Sequence, residues 1–281
     1  MRLRGLFVAV AVLGCRPPAQ PETWTEGAGF RSRALTVPAR GASGFARIAA
    51  TTTGIEFMNT VSDSVLLHNR ILAQGAGVAL GDVDGDGLVD VFLARTEGPN
   101  VLYRNRGGWK FEDITAAAGV AAPERYSSGA ALADIEGDGD LDLILLAIGS
   151  PTSIFVNDGA GKFTEQRREL GLVETSVGGT TPTMADVDGD GDLDLYLANY
   201  KGYTATDSVA PQLRAFNQVV REIGPNRFEV LPQYQRDFKA VSRPEQGGVG
   251  LIERADPDHF YLNEGGRFVA TPIRGERFRD E

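Results

Sequence analysis

Three short stretches of this chain are apolar on both faces and carry one aspartate each: VDVFLA at 89–94, LDLILLA at 141–147 and LDLYLA at 193–198. Such runs predict strands covered from both sides, the inner strands of a layered array. Downstream come VLYRNRGGWKF at 101–111, SIFVNDGAGKF at 153–163 and FYLNEGGRF at 260–268. Each sets an aromatic two residues before an asparagine (Tyr103 and Asn105, Phe155 and Asn157, Tyr261 and Asn263), then a glycine-rich turn and a phenylalanine, which is a β-hairpin pattern. A phenylalanine followed eight residues later by glycine recurs as Phe111 with Gly119 and Phe163 with Gly171, with a looser Phe45 and Gly54 ahead of them.

The buried runs follow acidic, glycine-bearing stretches: GDVDGDGLVD from Gly81, ADIEGDGDLD from Ala133 and ADVDGDGDLD from Ala185. Their first aspartates, Asp82, Asp134 and Asp186, lie 52 residues apart each time. A constant period means a stacked or radial array, and about four short strands per repeat is the arithmetic of a propeller blade, with a solenoid as the other architecture. The predicted fold is all-β: a β-propeller of four-stranded blades, incomplete on the repeats visible. The 35 glycines suit a chain of many tight turns.

Of the 38 acidic residues, 14 fall in the windows 82–90, 134–142 and 186–194; with those set aside the formal charge of −10 becomes +4. The acidity is therefore local and asks for a local counter-ion, not for a generally acidic surface.

The loops, the period and the hairpin resemble FG-GAP/VCBS repeats, as in integrin α-subunit propellers. The phrases TGIEF at 53–57, LANY at 197–200 and DHFYLNEGGRF at 258–268 resemble the bacterial ASPIC/UnbV group related to cartilage acidic protein. The resemblance runs over roughly residues 43–273 and implies a longer protein whose propeller closes and whose ASPIC/UnbV segment is C-terminal. Here a fourth acidic loop, expected near residue 238, is missing and that segment is not found, as expected of an N-terminal portion.

In D-x-D-x-D-G-x-x-D a tight turn folds the side chains at positions 1, 3 and 5 inward, position 7 offers a carbonyl and position 9 a last carboxylate. Hard oxygen donors in this number suit calcium, which tolerates irregular six- to eight-fold coordination, better than magnesium. The first predicted site comprises Asp82, Asp84, Asp86, the carbonyl of Leu88, and Asp90. The second comprises Asp134, Glu136, Asp138, the carbonyl of Asp140, and Asp142, with Glu136 as the one variant ligand. The third comprises Asp186, Asp188, Asp190, the carbonyl of Asp192, and Asp194. Without an ion each loop crowds four or more carboxylates, and a pair about 4 Å apart repels by roughly 4 kcal/mol at an effective dielectric near 20. Three structural Ca2+ ions are expected, stapling strands rather than serving catalysis. An EF-hand would place a bidentate glutamate at position 12 and lead into a helix; here position 12 is Leu93, Leu145 or Leu197, inside a buried run. No P-loop lysine follows the glycines.

The chain opens MRLRGLFVAVAVLGC. Two arginines followed by a short apolar run predict a signal peptide over 1–14, and Val12-Leu13-Gly14-Cys15 resembles a lipobox, so that Cys15, the one cysteine of the chain, is the expected lipidation site. Residues 15–42 mix Pro, Gly, Ala and charge without apolar periodicity and read as a flexible tether, leaving 43–281 as the propeller body. Arg16 after the cysteine, in place of an inner-membrane retention aspartate, favours the outer membrane or cell surface, anchored through lipid.

An insertion at about 200–258 separates the third loop from the last hairpin. Leu213, Phe216, Val220 and Ile223 fall at helical spacing after Asp207, Ser208 and Pro211, predicting a helix packed on the blades. Its basic residues are interspersed with acidic ones, a solvated face more than a nucleic-acid site, and no nucleic-acid partner is expected. His68 and His259 belong to no recognisable triad or zinc motif. The expected function is accordingly a non-catalytic surface or periplasmic scaffold that binds a protein or glycan, with an extracytoplasmic enzyme using the insertion and an open propeller face as the alternative.

Overall fold

The computed structural model describes residues 25–27, 30–32, 44–173, 177–225, 227–243 and 248–272. The chain forms two units, Met1–Arg47 and Ile48–Glu281. In the first, β1 (Thr25–Gly27) and β2 (Phe30–Ser32) pair antiparallel, within the stretch read as tether. The signal peptide at 1–14 and Cys15 lie outside the described residues.

The second unit repeats one meander. In the first blade β3 (Val78–Gly81), β4 (Asp90–Leu93), β5 (Val101–Asn105) and β6 (Phe111–Asp113) lie in sequence order. The second comprises β7 (Tyr126–Ala133), β8 (Asp142–Ile148), β9 (Ser153–Asn157) and β10 (Phe163–Glu165), again antiparallel neighbours. The inner strands behave as their two-sided apolarity predicts. Leu143 and Leu145 of β8 join Phe92, Leu102 and Phe155 in the core between the first and second blades, while Ile144 and Leu146 join Leu195, Leu197 and Tyr261 in the core between the second and third. Every residue of β8 is buried, and each fully buried large side chain contributes roughly 1.5–3 kcal/mol, so this strand anchors both interfaces. No closed ring is formed by the described sheets, which stand side by side in blade fashion.

The third blade departs from the expected repeat. It starts with β11 (Gly179–Ala185) and β12 (Asp194–Asn199), but its outer half comes from beyond the insertion. After β13 (Val220–Gly224), β14 (Arg227–Val230), β15 (Phe238–Arg243) and β16 (Gly248–Glu253), the chain returns as β17 (His259–Asn263) and β18 (Phe268–Thr271), and the sheet order is β11-β12-β17-β18. The last hairpin is thus no remnant of a fourth repeat: β17 pairs with β12 through Leu195↔Tyr261 and Leu197↔His259 and satisfies its free edge. Near residue 238, where a fourth acidic loop was expected, the chain is in β15.

The insertion itself is mostly hairpin. Only Phe216–Val219 of the predicted helix makes a helical turn, joined by turns at Ala205–Ser208 and Pro211–Leu213. β-Branched Val220 and Ile223 instead enter β13, where Val220 pairs with Val230 and is buried. Val219, Val220, Val230 and Phe238 give the insertion a core of its own. Its exit is tied to its entrance by Asp258, which accepts from the Asn199 backbone N–H and the Tyr196 hydroxyl, both at 2.6 Å.

The recurring glycine has a clear role, although Phe45, fully exposed, has none in it. Gly54, Gly119 and Gly171 end the turn before each blade in the left-handed region, and a Cβ on Gly54 or Gly119 would lie 2.9 or 3.2 Å from the carbonyl oxygen of Phe111 or Phe163 on the outermost strand of the blade that follows. Gly171 (φ +86°) is tighter still against the Phe268 oxygen. Left-handed strain and this overlap together make Gly171→Ala cost about 3 kcal/mol, expected as a lowered denaturant midpoint with an unchanged slope.

Candidate metal centre

Each acidic loop joins the first strand of a blade to the second, and its carboxylates are held by the turn before any ion is considered. Asp82 at position 1 accepts from the N–H of Asp86 (3.1 Å) and of Gly87 (2.8 Å). Asp134 repeats this with Gly137, Asp138 and Gly139, and Asp186 with Gly189 and Gly191. Position 5 turns back on the N–H two residues on: Asp86 to Leu88, Asp138 to Asp140, Asp190 to Asp192.

Position 9 is the buried member. Asp90, Asp142 and Asp194 are at most 2% exposed. Each uses one oxygen for the N–H at position 2 (Val83, 3.0 Å; Ile135, 3.0 Å; Val187, 2.8 Å) and the other for the asparagine N–H of the third strand (Asn105, 2.7 Å; Asn157, 2.9 Å; Asn263, 2.9 Å). The last of these confirms the register of the third blade across its insertion. Position 7 spends its side chain elsewhere: the carboxylate of Asp192 accepts from the Gly265 N–H (2.9 Å) and that of Asp140 lies against Gly159, leaving the main-chain carbonyl as what this position offers.

The next blade covers each of the first two loops. Asn157 Nδ2 donates to the Val83 carbonyl (2.8 Å) and Asn263 Nδ2 to the Ile135 carbonyl (2.7 Å), one blade back in both cases. Gly161 sits over Asp84 and Gly266 over Glu136, the two position-3 residues, where a Cβ would lie 3.6 and 3.1 Å from the acid's own Cβ. Val83 and Ile135 are consequently buried, whereas Val187, at the same place in the third loop, is 59% exposed. The hairpin asparagines were visible in the sequence as a pattern; their reach to the preceding loop was not.

The carboxylates fit a hard cation. Oxygens of Asp82, Asp84 and Asp86 lie within 4.8 Å of one another, and so do those of Asp186, Asp188 and Asp194. The second loop, with its longer Glu136, forms no such group among the described residues. The Asp84 side chain is only 4% exposed, and neither of its oxygens receives a hydrogen bond. Burial, reinforced by Glu136 and Asp138 and only partly offset by two backbone N–H groups, pushes Asp142 up to about 6. Loss of water and then like charge likewise raise Asp90, Glu136 and Asp188 above the ordinary carboxylate range. Such groups call for positive charge, which a divalent ion would supply.

The first loop holds a residue the repeat does not explain. Arg104 sets Nε in ion-pair contact with Asp84, without hydrogen-bond geometry, and donates from a terminal nitrogen to Asp86 (3.4 Å). Of the histidines, His68 Nδ1 is 2.7 Å from the Ser64 carbonyl, and the Asp258 carboxylate beside His259 is taken up by Tyr196 and Asn199.

A family model described as an FG-GAP-like repeat matches residues 82–145 and 142–197. Cartilage acidic protein 1 of Homo sapiens is 30% identical over 191 residues, which cover 66% of this chain and 27% of that protein. The Mus musculus protein of the same name is 30% identical over 189 residues, with the same coverage. The chain thus spans about a quarter of the length of the curated relatives it matches. Among solved structures, the V. cholerae biofilm matrix protein Bap1 aligns with 69% of this chain and 30% of its own at 19% identity and a TM-score of 0.30.

Proposed function

Because this chain is an FG-GAP-repeat protein related to cartilage acidic protein 1, we propose that it is a calcium-stabilised, non-catalytic scaffold outside the cytoplasm, whose blades hold the insertion out to a protein or glycan partner. The observation that carries this reading is the covering of each of the first two acidic loops by the next blade. An ion bound by Asp82, Asp84, Asp86 and Asp90 neutralises a loop whose position-2 carbonyl and position-3 side chain are also the contact with the second blade, so metal binding and blade docking reinforce each other. The same holds for Asp134, Glu136, Asp138 and Asp142 against the third blade. Calcium supplies charge and flexible oxygen coordination there; the loops supply pre-folded carboxylates, so little ordering remains when the ion arrives.

Calorimetric titration of the chain with calcium is the test: binding at the loops with magnesium markedly weaker is expected, and a folded chain that binds no calcium overturns the reading. The insertion, with its separate core and pinned base, is the element such a scaffold displays.

Anchoring through Cys15 is part of the same proposal. No helix among the described residues is long and apolar enough to cross a membrane, and a lipid on Cys15 holds the protein at the outer membrane or cell surface. In a bacterial host Cys15→Ser is expected to abolish metabolic labelling by a fatty-acid analogue and to move the protein from the membrane to the soluble fraction; unchanged labelling would remove Cys15 from this role.

A further inference from the structure

Resting on the reading of the loops as calcium sites, we infer that the first loop carries its own tethered cation, the guanidinium of Arg104, which a metal ion must displace, so that the chain binds calcium strongly at the second and third loops and weakly at the first.

The three loops have nearly the same sequence, and the difference comes from the neighbouring strand. Arg104 stands in β5 one residue before Asn105; the residues at the same register in the other blades are Val156 and Leu262, neither of which can donate charge. From that place Arg104 engages Asp84 and Asp86, positions 3 and 5 of the loop. Asp84 is closed off from water by Gly161 of the second blade, and its Oδ1 is still without a hydrogen-bond donor. A buried carboxylate of this kind needs a positive partner, and arginine, always protonated and weakly hydrated, is the side chain that can supply one permanently.

The charge count points the same way. The first window contains four acidic residues, against five in each of the others, because position 7 is Leu88 where they have Asp140 and Asp192. Asp140 and Asp192 turn their side chains away from the site, so the four ligand carboxylates bring −4 in every loop and Arg104 alone reduces the first to −3, and calcium affinity follows the charge its ligands bring. Arg104 thereby satisfies the metal-free loop and lowers its appetite for an ion, keeping the contact between the first two blades intact when calcium is scarce.

The test compares the full chain with its Arg104→Leu and Arg104→Lys variants by calcium calorimetry, and by thermal unfolding with and without chelator. The wild type should show two tight sites and one at least tenfold weaker. Arg104→Leu should bring the weak first loop up to the others and lower the unfolding midpoint in chelator but not in saturating calcium; Arg104→Lys, which keeps a cation there, should retain the wild-type pattern. A purely structural arginine would instead destabilise the chain equally in both conditions, and that outcome overturns the inference, as do three equally tight wild-type sites or an unchanged number of tight sites in Arg104→Leu. Those results leave calcium binding itself standing, whereas no binding by any of the three proteins removes both.

Discussion

Removing calcium is expected to lower the thermal midpoint of this chain by about 10–20 °C. An ion at a hundredfold excess over its dissociation constant stabilises the folded state by about 2.7 kcal/mol. Two tight loops therefore contribute about 5 kcal/mol, and for a unit of this size each kcal/mol moves the midpoint by roughly 2–4 °C. The loss should spread beyond the loop, because the second loop is also a blade contact: Asn263 bonds to the carbonyl of Ile135 only while that loop keeps its shape. Scanning calorimetry in calcium and after its removal measures this. A shift of under a few degrees, with calcium demonstrably bound, would mean that the loops are rigid without the ion and that the blades need no staple.

What the sequence made legible is the part of the fold that repeats. The acidic loops announce themselves because four or five carboxylates in nine positions repel one another and call for a local counter-charge, and the apolar runs after them because a strand between two blades must be apolar on both faces, as Leu143 and Ile144 show by entering different cores. The insertion was harder to place. It interrupts the third blade between its second and third strands, and no local signal says that β17 returns to pair with β12 across so long an excursion; Asp194 and Asn263, whose counterparts are 15 residues apart in the other blades, are 69 apart here. The predicted helix failed for a related reason: Val220 and Ile223 have helical spacing, but β-branching and a partner strand at Arg227–Val230 outweigh it. Arg104 could not be singled out either, since a charged residue in a short outer strand looks like solvent-facing polarity until the loop it faces is in place.

The second large effect concerns Asp142. Asp142→Ala is expected to cost about 4 kcal/mol even in metal-free buffer, because it leaves the backbone N–H groups of Ile135 and Asn157 without their acceptor in a buried place, at about 1–3 kcal/mol each, and opens a cavity besides. Asp142→Asn keeps one acceptor and removes the buried charge, so it should be much milder without metal yet abolish calcium binding at the second loop. The pH dependence follows from the same burial. In the metal-free folded chain burial pushes the Asp142 carboxyl up to about 6 from its ordinary value of 3.8. Its folded form therefore takes up a proton more readily than its unfolded form, and its ionisation destabilises the metal-free fold above about pH 6, a penalty relieved as the pH falls from about 6 toward 4, on the order of 2 kcal/mol in all. Calcium and protons compete for the same carboxylate, so the affinity of the second loop should fall over that interval while the metal-free chain gains stability. The gap between the calcium-loaded and metal-free midpoints is expected to narrow from pH 7 to pH 5, and the second loop's share of that narrowing to vanish in Asp142→Asn. A gap that stays constant over this range would show that Asp142 is ionised throughout and that burial does not govern this loop.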